Sequence, residues 1–126
     1  DWRPGFKKGK FNLSKKLPKV RKNVILYPGR FDQSIPRFIK SQSGKDFSIS
    51  YLHIDCDLYS STKEIFSLLS KNIISGTIVV FDEYFNFPGW KEGEFLAFQE
   101  FIKSTNLNYE YLTYNYLHQQ VAIKIL

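Results

Sequence analysis

The sequence predicts an α/β fold: a mostly parallel sheet with an antiparallel C-terminal strand pair and helices on both faces. Three observations carry this. Short apolar runs at 23–27, 48–55 and 77–82 alternate with helix-length amphipathic stretches. Each strand-to-strand connection is long enough for a right-handed crossover helix. Two acidic clusters, His53-Ile54-Asp55-Cys56-Asp57 and Asp82-Glu83, each leave the end of such a strand, where open α/β sheets bind their ligands.

Residues 1–22 carry neither helical nor strand periodicity, and Pro4, Gly5, Gly9 and Pro18 punctuate them, so they read as an irregular basic lead-in. Residues 23–27 read as a short buried-type strand stopped by Pro28-Gly29. Asp32 or Ser34 can cap a helix with Pro36 in its first turn, Ile35, Phe38 and Ile39 on one face, and Ser43-Gly44 at its end. The strand at 48–55 follows. Ser61 and Glu64 then fit a capping box for a helix whose Ile65, Leu68 and Leu69 share a stripe. Gly76 precedes the strand at 77–82. Beyond Pro88-Gly89 a helix spans about 93–104, with Phe95, Phe98 and Ile102 on one side. Strands at 109–115 and 120–126, joined through Tyr116-Leu117-His118, form the antiparallel pair.

With 126 residues, 43% of them hydrophobic, the chain suits a single domain with a packed core, which excludes global disorder. No apolar run approaches the roughly 20 residues a membrane span needs. The sole cysteine, Cys56, excludes an internal disulfide and fits a reducing, cytoplasmic compartment. Charge is uneven: residues 1–40 hold twelve Lys and Arg against two Asp, residues 41–126 six Lys against ten Asp and Glu. The basic arm could meet nucleic acid, but no recognition-helix, zinc-finger or ribonucleoprotein pattern accompanies it, so nucleic acid is not the expected partner.

Four carboxylates crowded at the same end of neighbouring strands repel one another, and a divalent cation is the simplest thing to hold them. Asp55, Asp82 and Glu83 offer hard oxygen ligands suited to Mg²⁺ or Mn²⁺. Asp57, two residues on and outside the strand, is placed to act as a general base on a metal-bound hydroxyl. His53 and Tyr84 read more readily as packing residues, and Lys63 as part of a solvated helix face. Tyr59 and Trp90 could line a pocket, and Phe87 and Trp90 suggest an apolar wall. A strand followed by D-x-D also opens haloacid-dehalogenase phosphatases and metal-dependent glycosyltransferases. The phosphatase pattern expects Thr or Val where this chain has Tyr59, and the glycosyltransferase pattern does not require the second acidic pair.

The segments Leu52-His53-Ile54-Asp55-Cys56-Asp57-Leu58-Tyr59-Ser60-Ser61-Thr62 and Gly76-Thr77-Ile78-Val79-Val80-Phe81-Asp82-Glu83-Tyr84 resemble the macrocin-type O-methyltransferases. These are class I S-adenosylmethionine-dependent enzymes that methylate hydroxyls of antibiotic sugars. Asp1-Trp2-Arg3-Pro4-Gly5-Phe6, the stretch 23–36, Phe87-Pro88-Gly89-Trp90 and Ala97-Phe98-Gln99-Glu100-Phe101 resemble them too. The resemblance implies a Rossmann-like methyltransferase sheet, with Asp55, Asp82 and Glu83 as metal ligands and Asp57 as base. By likeness to catechol-type enzymes, it puts Arg30, Phe31 and Asp32 against the adenine of S-adenosylmethionine. The acceptor would be a small-molecule or sugar-like hydroxyl, and a homo-oligomer is left open.

Class I enzymes also carry a Gly-rich turn after their first strand, and no G-x-G occurs here. Residues 1–126 are therefore expected to be one truncated domain, its C-terminal portion, inactive alone. The strand at 23–27, without its family neighbours, would re-pair, stay an edge or dock loosely. The alternatives to a metal-dependent O-methyltransferase are the phosphatase and a non-catalytic remnant that interacts through its basic arm.

Overall fold

Alternating burial along the central strands sets the architecture. The computed structural model describes residues 13, 14, 16–42 and 46–126. In chain order the elements are α1 (Phe31–Ser41), β1 (Tyr51–Ile54), α2 (Tyr59–Leu69), β2 (Ile78–Phe81), α3 (Glu94–Thr105), β3 (Tyr109–Tyr114) and β4 (Val121–Ile125). Single 3₁₀ turns, Ser70–Asn72 and Trp90–Glu92, follow α2 and precede α3.

The sheet order is β1-β2-β4-β3. β1 and β2 are parallel, with Ile54 opposite Phe81. β4 is antiparallel to both β2 and β3, so β4 alone is reversed. Period-two alternation turns Ile54, Val79, Phe81, Val121, Ile123 and Ile125 toward one side, where all are buried. The sequence reading puts helices on both faces. The three described helices instead lie side by side, α1 on α2 and α2 on α3, over this buried side. Tyr51, His53, Val80 and Lys124 of the opposite face keep partial or full exposure.

Aromatic packing joins helices to sheet. Phe66 of α2 stacks on Phe101 of α3 with centroids 4.6 Å apart, and Phe81 meets Phe98 edge-on at 5.3 Å. Thr77, buried just ahead of β2, donates its hydroxyl to the Ile49 carbonyl at 2.6 Å and accepts the Ile74 N–H at 3.1 Å. That pair of bonds ties the approach to β2 to the approach to β1, and so helps set the register that brings the two strand exits level.

Several local expectations change. Residues 23–27 form no strand: Val24 and Ile25 are exposed, and contact comes through Tyr27, whose hydroxyl lies 2.8 Å from Ser41 Oγ and whose ring meets Phe38 edge-on. The segment docks loosely on α1, and nothing but β2 pairs with β1 among the described residues. α1 begins at Phe31 with Arg30 as its cap residue, which puts Pro36 beyond the first turn. α2 begins at Tyr59, two residues before Ser61, so the capping box does not form. Residues 1–12, 15 and 43–45, including the Ser43-Gly44 stop and the opening motif, lie outside the described residues.

Candidate active site

The exits of β1 and β2 stand side by side because the parallel ladder continues one step further, with Asp82 N–H donating to the Ile54 carbonyl at 3.0 Å. Parity then decides where each acid goes. Phe81 faces the helix layer, so Asp82 is directed away from it and Glu83 turns back toward it. Glu83 is accordingly buried at 6% exposure, Asp82 is half-buried, and Asp55 is exposed. Asp57 adopts a left-handed backbone conformation (φ 62°) in the loop between β1 and α2. Such a conformation is more accessible to Asp than to most residues, and it turns the chain sharply after the strand.

This geometry gathers Asp55, Asp57 and Glu83: one carboxylate oxygen from each lies within 4.8 Å of the others. Asp82 is not in that group of three, and its Oδ1 accepts a hydrogen bond from Gln120 Nε2 at 3.1 Å. The pairing of Phe81 with Val121 places Gln120 beside Asp82, a relation that requires knowing the register of β4.

Burial, then the charges of Asp57, Asp82 and Glu94, pushes the Glu83 carboxyl up to about 8. Burial likewise raises Glu94 to about 7, while the backbone N–H groups of Glu83 and Cys56 pull it the other way. Glu94 Oε2 accepts the Glu83 N–H at 3.2 Å. Glu83 Oε2 and Glu94 Oε1 are both buried with no hydrogen-bond partner among the described residues. Orphaned buried carboxylate oxygens are costly unless a proton or a cation meets them. Hard anionic oxygens are also the donors Mg²⁺ and Mn²⁺ prefer, so the residues present fit such an ion.

The sequence alone does not mark Glu94 as a site residue. At the head of a helix, a glutamate reads as a complement to the helix dipole. Its spacing to Ala97, Phe98 and Phe101 was the available signal, since those positions share one face and all are buried.

The residues expected at the adenine lie at the start of α1. Arg30 Nε and Asp32 Oδ1 form an exposed ion pair at 3.4 Å. Phe31 lines a cleft of about 360 Å³ shared with Tyr27, Leu52, His53, Asp55 and Cys56. It also borders a second cleft, of about 410 Å³, with Arg30, Leu58 and Ser61. One cleft wall therefore runs from the start of α1 to the first acid. His53 is exposed on β1 and lines the same cleft.

Tyr59 donates its hydroxyl to Glu100 at 2.7 Å, and Lys63 pairs with Glu100 at 3.0 Å, joining α2 to α3 at the surface. Tyr84 is a core residue, its hydroxyl 2.9 Å from that of Tyr111. Tyr84, Phe85, Trp90, Phe95 and Tyr114 line an aromatic hollow of about 290 Å³ that begins one residue after Glu83. Phe87 is half-buried and lies outside that lining.

No protein-family model and no curated protein matches the chain. Solved structures do. The O-methyltransferase NovP superposes on 78% of the chain with a TM-score of 0.57 at 23% identity. Two structures of CalS11, a TDP-rhamnose 3′-O-methyltransferase of calicheamicin biosynthesis, each superpose on 76% with a TM-score of 0.58 at 24% identity. The chain spans 36% of the NovP chain and 38% and 35% of the two CalS11 chains. The likeness is one of fold: these strands and helices follow a methyltransferase arrangement. Among the described residues, no helix is long and apolar enough to cross a membrane.

Proposed function

We propose that this chain carries the metal-and-base portion of an S-adenosylmethionine-dependent, divalent-metal-dependent O-methyltransferase acting on a sugar-like or small-molecule hydroxyl. The observation that carries the reading is the convergence of Asp55, Asp57 and Glu83 at two parallel strand exits, beside buried carboxylate oxygens that lack hydrogen-bond partners among the described residues. The fold shared with NovP and CalS11 favours it over the phosphatase. The resemblance of both acidic motifs to macrocin-type enzymes points the same way.

In this reading Asp55 and Glu83 hold the cation, with Asp82 steadied beside them by Gln120. A bound divalent cation supplies Lewis acidity that makes an acceptor hydroxyl easier to deprotonate. S-adenosylmethionine, when bound, would supply the transferable methyl group. Asp57 takes the hydroxyl proton. Arg30, Phe31 and Asp32 would hold the adenine, and Phe31 shares a cleft with Asp55. The aromatic hollow around Trp90 offers ring faces to an apolar side of the acceptor. Holding the two reactants in line is worth more than any single contact. A cytoplasmic setting accords with a lone cysteine, whose thiol burial pushes up to about 11, away from ready oxidation.

Transfer of tritiated methyl from S-adenosylmethionine to a panel of nucleotide-linked sugars, run on the full gene product, tests this. Transfer should stop with chelator, return with Mg²⁺, and fall about 100-fold or more in Asp57→Asn, the usual scale of a lost general base. Chelator-insensitive transfer, or phosphate release from an aryl phosphate instead, contradicts it.

A further inference from the structure

Glu94 is fully buried at 0% exposure in the first turn of α3. Among the described residues the ion pairs are Arg30–Asp32 and Lys63–Glu100, which leave Glu94 without a cationic side chain. Its Oε2 accepts the backbone N–H of Glu83, and the backbone N–H of Cys56 bears on the same carboxyl. Those two amides belong to different segments. Cys56 follows Asp55 at the exit of β1, and Glu83 stands at the exit of β2. Glu94 thus spans the gap between the strand ends that present the acids. Its other oxygen, Oε1, is buried and has no hydrogen-bond partner among the described residues.

A residue needed only to tie two amides together does not need a charge. A glutamine or a hydroxyl would accept those bonds without the expense of burying an anion. A carboxylate in that position makes sense where a positive charge is to arrive. Glu94 is absent from the cluster of carboxylate oxygens formed by Asp55, Asp57 and Glu83, so it would act behind them.

We infer that Glu94 is a positioning residue for the cation: it fixes the separation of the two acid-bearing strand exits and supplies a buried negative charge beneath the ligands. This rests on the metal-dependent reading proposed above. Groups that orient metal ligands without touching the ion typically change affinity by about 10–100-fold when lost.

The test is Mn²⁺ titration of the purified protein, followed by the electron paramagnetic resonance signal of free Mn²⁺, with thermal unfolding recorded without metal. Glu94→Gln keeps an acceptor for the two amides and removes the charge. It should unfold at the wild-type temperature or above, yet bind Mn²⁺ at least about tenfold more weakly. Glu94→Asp keeps the charge but withdraws it by one methylene, and should also weaken binding. A folded variant of either kind with wild-type affinity overturns the inference while leaving the metal reading intact. So does loss of the folded state in both variants, which would make Glu94 a fold residue only. Absence of Mn²⁺ binding by the wild type removes the metal reading, and the inference with it.

Discussion

Burial keeps the Glu83 carboxyl protonated up to about 8 and that of Glu94 up to about 7, each from an ordinary 4.5. A raised acid pKa means that the folded chain holds more protons than the unfolded chain between those values. Stability contributed this way is complete below pH 4.5 and is lost as pH rises toward 8. Without metal, the difference in unfolding free energy between wild type and Glu83→Gln should therefore shift steadily against the wild type from pH 5 to pH 8.5. Urea unfolding at several pH values checks this, and a pH-independent difference would contradict it. Among single residues, Asp55 and Glu83 were legible as members of the acidic cluster because each lies just past an apolar run that forms a strand. The split between Asp82 and Glu83 is a matter of strand parity, visible once the end of β2 is fixed at Phe81. Gln120 was hidden, because its role depends on β4 lying beside β2, a pairing that local sequence does not specify.

Among the elements, the segments with strong periodicity emerged close to expectation: β1, β2 and the hairpin strands β3 and β4 lie inside the stretches assigned to them, and α2 and α3 overrun theirs by a few residues at one end. Helix starts were less legible, because neither α1 nor α2 uses a side-chain cap, and the expected cappers Asp32 and Ser61 lie inside the helices. The strand expected at 23–27 failed for a tertiary reason. A run of apolar residues becomes a strand only when a partner strand accepts its backbone, and none does so among the described residues. A pair of substitutions separates these cases. Phe66→Ala, at the centre of the aromatic packing between α2, α3 and β2, should cost about 3–5 kcal/mol. Ile25→Ser, at 73% exposure, should stay within about 0.5 kcal/mol of wild type. Denaturant midpoints measure both, and a large loss from Ile25→Ser would show that residues 23–27 are buried in solution.

Across the whole molecule, three layers of consequence meet at one end of the sheet. Parallel pairing of β1 and β2 brings two acid-bearing exits level, the helix layer buries Glu83 and Glu94 behind them, and an aromatic hollow opens alongside. That the three described helices share one face of the sheet was not legible, since the expectation of helices on both faces came from the general behaviour of parallel sheets rather than from any one segment. The overall arrangement matches methyltransferase folds over about three-quarters of the chain. The most direct measurement is anomalous diffraction from crystals of the protein soaked in Mn²⁺. The account predicts one strong peak between Asp55, Asp57 and Glu83, within about 2.0–2.3 Å of carboxylate oxygens from both strand exits. A map with no peak there, under conditions where Mn²⁺ is abundant, would contradict it.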